Sequence, residues 1–200
     1  MDSSPSCIIA LTGGIACGKS LVREVFKANG FCSFEADEMA RALYSPDTEL
    51  FKKIIALCGD EICDRSGTID RGILAKMVFT DERKRKALNA LVHPVVLMKL
   101  EEWMTQCRVK RVKGIAEIPL LFECGWEQLP WDKVICVAAD RSVVEARLMA
   151  RGYHIRECAS RMDAQWSVEK KCALADEVIW NNRDVQDVEK KARDLIDRLR

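Results

Sequence analysis

The chain has 200 residues, enough for one globular domain or for a core that carries a small insertion. Lys and Arg number 32 against 31 Asp and Glu, and this formal net charge of +1 argues against a generally basic nucleic-acid binder. The longest apolar runs are far too short to span a bilayer, and the first residues lack the basic stretch of a signal peptide. We therefore expect a cytoplasmic protein that binds neither nucleic acid nor membrane, as a monomer or a small homo-oligomer.

The predicted elements begin with a short buried strand over 7–12, a helix over 19–28 and a second strand over 31–34. Residues 38–111 then show little strand signal, and helical patterns cover 38–44, 49–58, 71–79 and 81–107. Pro94 lies in the last of these, where a proline is expected to kink or split a helix. We predict that this block is a helical insertion.

Strand signals return after the insertion, at 112–118, 134–139 and 178–180. The run 134–139 is apolar throughout, which is typical of a strand covered on both faces. Helices are predicted over 141–151, within the polar stretch 153–172, and from 185 onward. Alternation of strands and helices at both ends of the chain predicts an α/β fold with a parallel sheet flanked by helices.

The strongest chemical signal is the sequence Gly13-Gly14-Ile15-Ala16-Cys17-Gly18-Lys19-Ser20, which fits the phosphate-loop pattern G-x-x-x-x-G-K-[ST]. It lies between a predicted strand and a predicted helix, as that motif requires. Glycines let the backbone wrap around phosphate oxygens, and the N–H groups at the helix start form a partly positive nest. We expect Lys19 to reach the β- and γ-phosphates of a nucleotide and Ser20 to bind Mg²⁺.

A phosphate loop alone does not distinguish a kinase, an ATPase and a GTP-binding switch. A switch needs Asp-x-x-Gly and Asn-Lys-x-Asp motifs, and both have partial matches here. Asp64-Arg65-Ser66-Gly67 fits the first by letter but follows no predicted strand. Asn181-Asn182-Arg183-Asp184 resembles the second but has Asn where lysine belongs. Another small-molecule or nucleotide kinase, and less favourably a GTP switch, remain alternatives.

Four further segments carry a more specific resemblance. They are Asp37-Glu38-Met39-Ala40-Arg41, Leu88-Asn89-Ala90-Leu91-Val92-His93-Pro94, Glu117-Ile118-Pro119-Leu120-Leu121-Phe122-Glu123 and Ala175-Asp176-Glu177-Val178-Ile179-Trp180-Asn181-Asn182. Together with the phosphate loop, their order and spacing resemble the dephospho-CoA kinase family over residues 7 to about 185.

This resemblance implies a phosphate-loop core like that of nucleoside monophosphate kinases. The core would comprise residues 1–37, 112–146 and 173–200 of a single domain, with an acceptor-binding helical insertion at 38–111 and a helical lid at 147–172. The implied reaction transfers the γ-phosphoryl group of ATP to the ribose 3′-hydroxyl of dephospho-CoA, which gives coenzyme A and ADP with the help of Mg²⁺.

The candidate catalytic residues are Asp37 and Lys19. By the resemblance, Asp37 matches the acid that accepts the proton of the acceptor hydroxyl, although an Asp at that position is also a common helix N-cap. Glu117 ends an apolar strand and is a candidate metal ligand with Ser20, and Glu35 would support Mg²⁺ or its waters.

Arginines in and before the predicted lid are candidate ATP ligands, because the guanidinium fork suits phosphate oxygens. We expect Arg147 and Arg161 to contact ATP, together with the loop residues from Gly13 to Leu21. Arg41 and His93 are the candidate contacts to the acceptor. The alternatives are that the arginines of the lid region are solvated surface residues and that His93 is a structural histidine.

The sequence departs from the family pattern at four places. It has Glu35-Ala36-Asp37 for Asp-Ala-Asp, Ala16-Cys17 for Gly-Ser, Leu21 for Ser or Thr, and Arg183 for Gly. None of these changes removes a group that the chemistry needs. Cys17 stands beside the phosphate nest and two residues before Lys19, so we hypothesise that its thiolate is favoured, that it alkylates readily, and that Mg-ATP protects it. The alternative is that Cys17 fills a small-residue position with its sulfur turned into the core.

Overall fold

The computed structural model describes residues 6–46 and 48–199, apart from the side chain of Phe79; residues 1–5 of the predicted core, Asp47 and Arg200 lie outside the described residues. The strands are β1 (Ile8–Gly13), β2 (Cys32–Glu35), β3 (Gly114–Glu117), β4 (Lys133–Ala138) and β5 (Glu177–Trp180). The helices are α1 (Lys19–Ala28), α2 (Ala36–Ala42), α3 (Glu49–Cys58), α4 (Arg71–Thr80), α5 (Glu82–Val109), α6 (Arg141–Ala150), α7 (Ile155–Asp163), α8 (Val168–Leu174) and α9 (Val185–Arg198), with short 3-10 helices at Asp60–Ile62 and Trp126–Gln128.

The strands form a parallel sheet in the order β2-β3-β1-β4-β5, which confirms the predicted α/β class. β1 is buried along its whole length, and β4 is buried after its first residue. Burial on both faces explains why each strand is mostly apolar instead of alternating between apolar and polar residues. Because all strands run the same way, their carboxyl ends meet at one edge of the sheet, where parallel α/β proteins bind ligands.

Helices α1 and α9 contribute to the hydrophobic core with the sheet. Phe26 of α1 and Val188 and Leu195 of α9 are almost completely buried in that core. The amphipathic pattern of α9 requires a defined start, and Asp184 provides it as an N-cap whose carboxylate accepts the N–H of Asp187 at 2.9 Å. Within residues 6–46 and 48–199, no helix combines the length and apolar character that crossing a bilayer requires.

The chain divides into two compact units. One contains the chain up to Glu35 and from Met104 onward, including the whole sheet, and the other is Ala36–Trp103. The second unit contains α2, α3, α4 and most of α5, with an antiparallel bridge between Cys63 and Ile69. The acceptor-binding role of 38–111 and the lid role of 147–172 stay predictions.

Helix α5 continues through Pro94, whereas the sequence predicted a kink or a split there. The helix is not split. Proline removes one backbone N–H from the helix, a local cost. Val92, Val96 and Leu100 lie four residues apart on one face and are each at most 5% exposed. Burial of this stripe on both sides of the proline favours one continuous helix.

Candidate nucleotide-binding site

The phosphate-loop motif forms the turn between β1 and α1, at the carboxyl edge of the sheet. Gly13 ends β1, and a Cβ atom there would lie 2.1 Å from the carbonyl oxygen of Val137. Gly18 begins α1 with a φ of 98°, a left-handed conformation that glycine adopts without steric cost. The first turn of α1 has no acidic residue, so its N–H groups meet no competing carboxylate there. This turn fits an anion such as a phosphate group.

Lys19 and Ser20 occupy the first turn of α1. Lys19 is buried, and its Nζ donates to the carbonyl oxygens of Gly14 at 2.9 Å and Gly13 at 3.3 Å. The ammonium group is therefore held against the backbone of the loop. Ser20 is exposed at the loop's end, so its hydroxyl is accessible to a ligand. Both placements agree with the roles expected from the motif, which stay predictions.

Ala16 holds an unusual backbone conformation in the loop. Its φ is 55°, in the left-handed region, where the methyl group of an L-residue costs about 1–2 kcal/mol. Glycine would avoid this cost. The departure from the family's glycine at this position is thus a local source of strain in the loop.

A buried amide and a guanidinium brace the loop from the other side. Asn181, which follows β5 and is 5% exposed, donates from Nδ2 to the carbonyl oxygen of Cys17 at 2.8 Å. Arg147 of α6 donates to the backbone oxygen of Asn181 at 3.0 Å, to its Oδ1 at 2.9 Å and to the carbonyl oxygen of Ala16 at 3.3 Å. A Cβ atom on Gly18 would lie 2.3 Å from Asn181 Nδ2, so this packing requires glycine. Arg147 is therefore at the loop, bound to its backbone.

Arg23 of α1 pairs with three carboxylates. Arg23 donates from Nη1 to Glu117 Oε2 at 2.7 Å and pairs through the same nitrogen with Glu35. Its Nη2 also donates to Glu24 at 2.9 Å. Burial alone lowers the pKa of Arg23, but the hydrogen bond to Glu24 and the charges of Glu117 and Glu35 outweigh it and raise that pKa. The two acids expected near Mg²⁺ are thus both paired with Arg23.

A second buried ion pair joins Lys171, in the predicted lid, to Glu123, which follows β3. Lys171 of α8 is fully buried, and its Nζ contacts Glu123 Oε1 at 2.8 Å and the carbonyl oxygen of Pro119 at 2.7 Å. Glu123 Oε1 also accepts the N–H of Trp166 at 2.9 Å. Glu123, whose role the sequence left open, therefore ties the segment before α8 to the loop after β3.

A cavity of about 320 Å³ opens beside the loop. Gly14, Ile15 and Cys17 line it on the loop side, and it is also lined by Trp166, between α7 and α8, and by Val168, the first residue of α8. Residues of the predicted lid therefore do lie next to the phosphate loop.

Arg161, the other expected ATP ligand, packs its guanidinium over the ring of Tyr153, 4.1 Å from the centroid. The described contacts place Arg147, but not Arg161, on the phosphate loop. An ATP contact by Arg161 remains a prediction.

The structure contradicts the hypothesis of a reactive Cys17. The side chain is 1% exposed and belongs to the hydrophobic core. Burial raises the pKa of the Cys17 thiol, and the opposing effects of Lys19, of backbone hydrogen bonds and of Arg147 do not compensate for it. Burial therefore disfavours the thiolate that the motif position was expected to favour.

The second unit has its own cavity, of about 550 Å³, which brings together two predicted site residues. Asp37 and Arg41 of α2 line it with Tyr44, Arg71 and Leu88. Burial and then the negative charge of Asp37 raise the pKa of Tyr44. Two arginines and a carboxylate around one cavity fit a phosphorylated ligand that carries a hydroxyl group.

His93 is half-buried on α5, and burial lowers its pKa. It is not among the described residues that line this cavity or a second cavity nearby, of about 650 Å³. The acceptor contact of His93 stays a prediction.

Both partial GTP-switch motifs have structural roles. Asp64 accepts hydrogen bonds from Ser66 and Thr68 in a turn, and these bonds lower the pKa of Asp64 to about 2. In the second motif, Asp184 caps α9 and Asn181 braces the phosphate loop. Their hydrogen bonds account for these residues without a guanine base.

Several site residues escaped sequence reasoning. Arg23 stands three residues after Ser20 and thus on the same face of α1, but its partners Glu35 and Glu117 lie on the strands β2 and β3. No motif in the sequence includes Lys171 or Arg71. Asn181 was visible in the final motif, yet its contact with the loop spans 164 residues of sequence.

Comparison with known proteins shows which family this chain is similar to. The family model described as dephospho-CoA kinase matches residues 7–187. The dephospho-CoA kinase of Geobacillus kaustophilus is 41% identical over 179 residues, which cover 87% of each chain. The crystal structure of TT1252 from Thermus thermophilus superposes with a TM-score of 0.79 at 32% identity, covering 98% of this chain and 100% of that one. A dephospho-CoA kinase structure from Campylobacter jejuni gives a TM-score of 0.71 at 30% identity, with 96% of each chain covered.

Proposed function

The chain belongs to the dephospho-CoA kinase family, and we propose that it phosphorylates the ribose 3′-hydroxyl of dephospho-CoA with ATP, giving coenzyme A and ADP as the last step of coenzyme A synthesis. The observation that carries this most strongly is the loop between β1 and α1, with the Lys19 ammonium 2.9 Å from the carbonyl oxygen of Gly14. Phosphoryl transfer needs positioning and charge neutralisation more than covalent chemistry, and such a loop provides both.

The donor side of the reaction uses the loop and its brace. Backbone N–H groups at the start of α1 and the Lys19 ammonium bind the β- and γ-phosphates, and they oppose the charge that develops on the transferred group. Asn181 and Arg147 hold the carbonyl groups of Cys17 and Ala16 in place. The loop is thereby ordered before ATP binds, which lowers the entropic cost of binding.

Mg²⁺ fits the donor set at this edge of the sheet. Ser20 offers an exposed hydroxyl, and Glu35 and Glu117 offer carboxylates. Among residues 6–46 and 48–199, no group of three or more His, Cys, Asp or Glu side chains forms a metal cage. Mg²⁺ is typically held by few protein ligands together with phosphates and waters. When bound, it would neutralise charge on the β- and γ-phosphates.

The acceptor side uses the cavity of the second unit. Arg41 and Arg71, which line this cavity, bind the diphosphate of dephospho-CoA, because a guanidinium group can donate two hydrogen bonds to phosphate oxygens. Asp37, which is exposed and lines the same cavity, accepts the proton of the 3′-hydroxyl as that oxygen attacks the γ-phosphorus. The nucleophile is the acceptor oxygen and the leaving group is ADP.

The lysine of the loop provides a direct test with a matched control. Lys19→Ala removes the buried ammonium group. Lys27→Ala, the control, removes an exposed ammonium group from the same helix, and the described ion pair of Lys27 is with Glu24. ADP release coupled to dephospho-CoA should fall by about 10²-fold or more in the first variant, the scale of losing one electrostatic group. It should stay near the unmodified level in the second. Equal activities in two folded variants would refute the assignment of the loop.

A further inference from the structure

Arg23, which pairs with the two carboxylates proposed for Mg²⁺, Glu35 and Glu117, has no role in the reaction as described so far. Glu35 and Glu117 are register partners on the neighbouring parallel strands β2 and β3, at the last residue of each. Their carboxylates share one nitrogen of Arg23, Nη1. Arg23 is 9% exposed, so its guanidinium is largely shielded from water.

Two carboxylates at matched positions repel each other, and one of them takes up a proton unless a cation lies between them. Arg23 supplies that cation. A guanidinium group stays charged at every pH that proteins tolerate, and it binds two carboxylates through separate N–H donors. Together with Arg23 the two carboxylates carry one net negative charge instead of two, and Glu24, which also pairs with Arg23, is in turn paired with Lys27.

The cluster of Arg23, Glu35 and Glu117 lies beside the proposed metal position. Arg23 is three residues after Ser20, so the two side chains emerge on the same face of α1. Glu117 ends β3, which pairs directly with β1, the strand that leads into the phosphate loop. A divalent cation near the Ser20 hydroxyl would therefore meet the guanidinium of Arg23 as well as the two carboxylates.

We propose that Arg23 is a positioning residue that acts as an internal counterion: it keeps Glu35 and Glu117 from binding a divalent cation until the phosphates of ATP arrive. Without nucleotide, the guanidinium neutralises most of the attraction of the carboxylates for Mg²⁺. ATP phosphates add the missing negative charge, so the metal enters with the nucleotide. This inference rests on the proposed use of Mg²⁺-ATP and assigns a role to a residue outside the phosphate-loop motif.

The test measures metal binding without nucleotide, using Mn²⁺ as a paramagnetic probe of the Mg²⁺ site. Arg23→Gln removes the charge but keeps a polar side chain, and Lys27→Gln removes a charge from the same helix away from the pair. In EPR titrations, Arg23→Gln should bind Mn²⁺ about tenfold more tightly than the unmodified protein, the scale expected for one charge within several ångströms of a divalent ion. Lys27→Gln and the charge-conserving Arg23→Lys should both match the unmodified protein.

The double variant Arg23→Gln/Glu117→Gln locates the gained site, because it should lose the added Mn²⁺ affinity. Unchanged Mn²⁺ affinity in a folded Arg23→Gln protein would overturn the proposal, as would tight binding by Arg23→Lys. If Arg23→Gln does not fold without metal, the proposal predicts that Mg²⁺ restores folding, and failure to restore it counts against the proposal. Transfer to dephospho-CoA by the unmodified protein is measured separately, so failure of the metal test leaves the proposed reaction standing.

Discussion

The carboxamide of Asn181 donates to the carbonyl oxygen of Cys17 at 2.8 Å and accepts from Arg147 at 2.9 Å. One buried side chain thus joins the end of β5 and the helix α6 to the middle of the phosphate loop. This link explains how the loop keeps a fixed shape without bound phosphate. It also makes the residue a sensitive point for ATP binding.

Asn181→Ala should therefore weaken ATP binding. The change leaves the Cys17 carbonyl without its side-chain donor and removes one of the three oxygens to which Arg147 donates, at a cost of about 1–3 kcal/mol in the free energy of unfolding. Loss of loop order should raise the KM for ATP about tenfold, which corresponds to roughly 1.4 kcal/mol. Asn182→Ala is the matched control, because Asn182 is exposed and water can replace its bond to the Asp140 N–H. Steady-state kinetics that give both variants the same KM would contradict this role.

A substitution at Ala16 should stabilise the protein, in contrast to the change at Asn181. The φ of 55° at Ala16 favours glycine, so Ala16→Gly should raise the free energy of unfolding by about 0.5–1 kcal/mol. Ala90→Gly, at an exposed position inside α5, should lower it by about 1 kcal/mol, since glycine there costs helix propensity. Urea unfolding of both variants without nucleotide measures the difference. A loss of stability at both positions would show that Ala16 is not strained.

Asp37→Asn separates the acceptor chemistry from ATP binding. The amide cannot accept the hydroxyl proton, so kcat should fall by about 10²–10⁴-fold, the usual contribution of a general base. The KM for ATP should change little, because Asp37 is proposed to act on the acceptor hydroxyl and not to bind the nucleotide. Glu38→Gln, an exposed neighbour that does not line the cavity, is the control. A change confined to the KM for ATP would assign Asp37 to another role.

Cys17 should resist alkylation in the native protein. Because burial raises the pKa of its thiol, the thiolate fraction at pH 8 is lower than for an ordinary cysteine and increases only as the pH rises further. Limited iodoacetamide labelling with peptide mapping should modify the exposed Cys32 first and Cys17 only after unfolding, with or without Mg-ATP. Rapid labelling of Cys17 that Mg-ATP prevents would restore the earlier hypothesis.

Local patterns predicted much of this fold. The run of apolar residues in β4, the cap at Asp184 and the glycine-lysine motif each act over a few residues, and each appears in the structure as expected. Helix α5 differs because buried residues on both sides of Pro94 hold it together, a tertiary effect that local propensity does not contain.

The site was less predictable for the same reason. The motif identified Lys19 and Ser20, but Arg23 pairs with residues that precede and follow a long helical insertion, and Asn181 contacts the loop across most of the chain. The behaviour of Cys17 depended on burial, which a motif position does not reveal.

The central claim is that this chain transfers phosphate from ATP to the 3′-hydroxyl of dephospho-CoA. Coupled ADP release, measured with Mg-ATP against dephospho-CoA, AMP, CMP, shikimate and gluconate, tests it most directly, with the product identified by mass spectrometry and ³¹P NMR. We predict sustained ADP release with dephospho-CoA, formation of coenzyme A in equal amount, and at most background release with the other acceptors. Preferred transfer to another acceptor, or nucleotide binding without any transfer, would contradict the account.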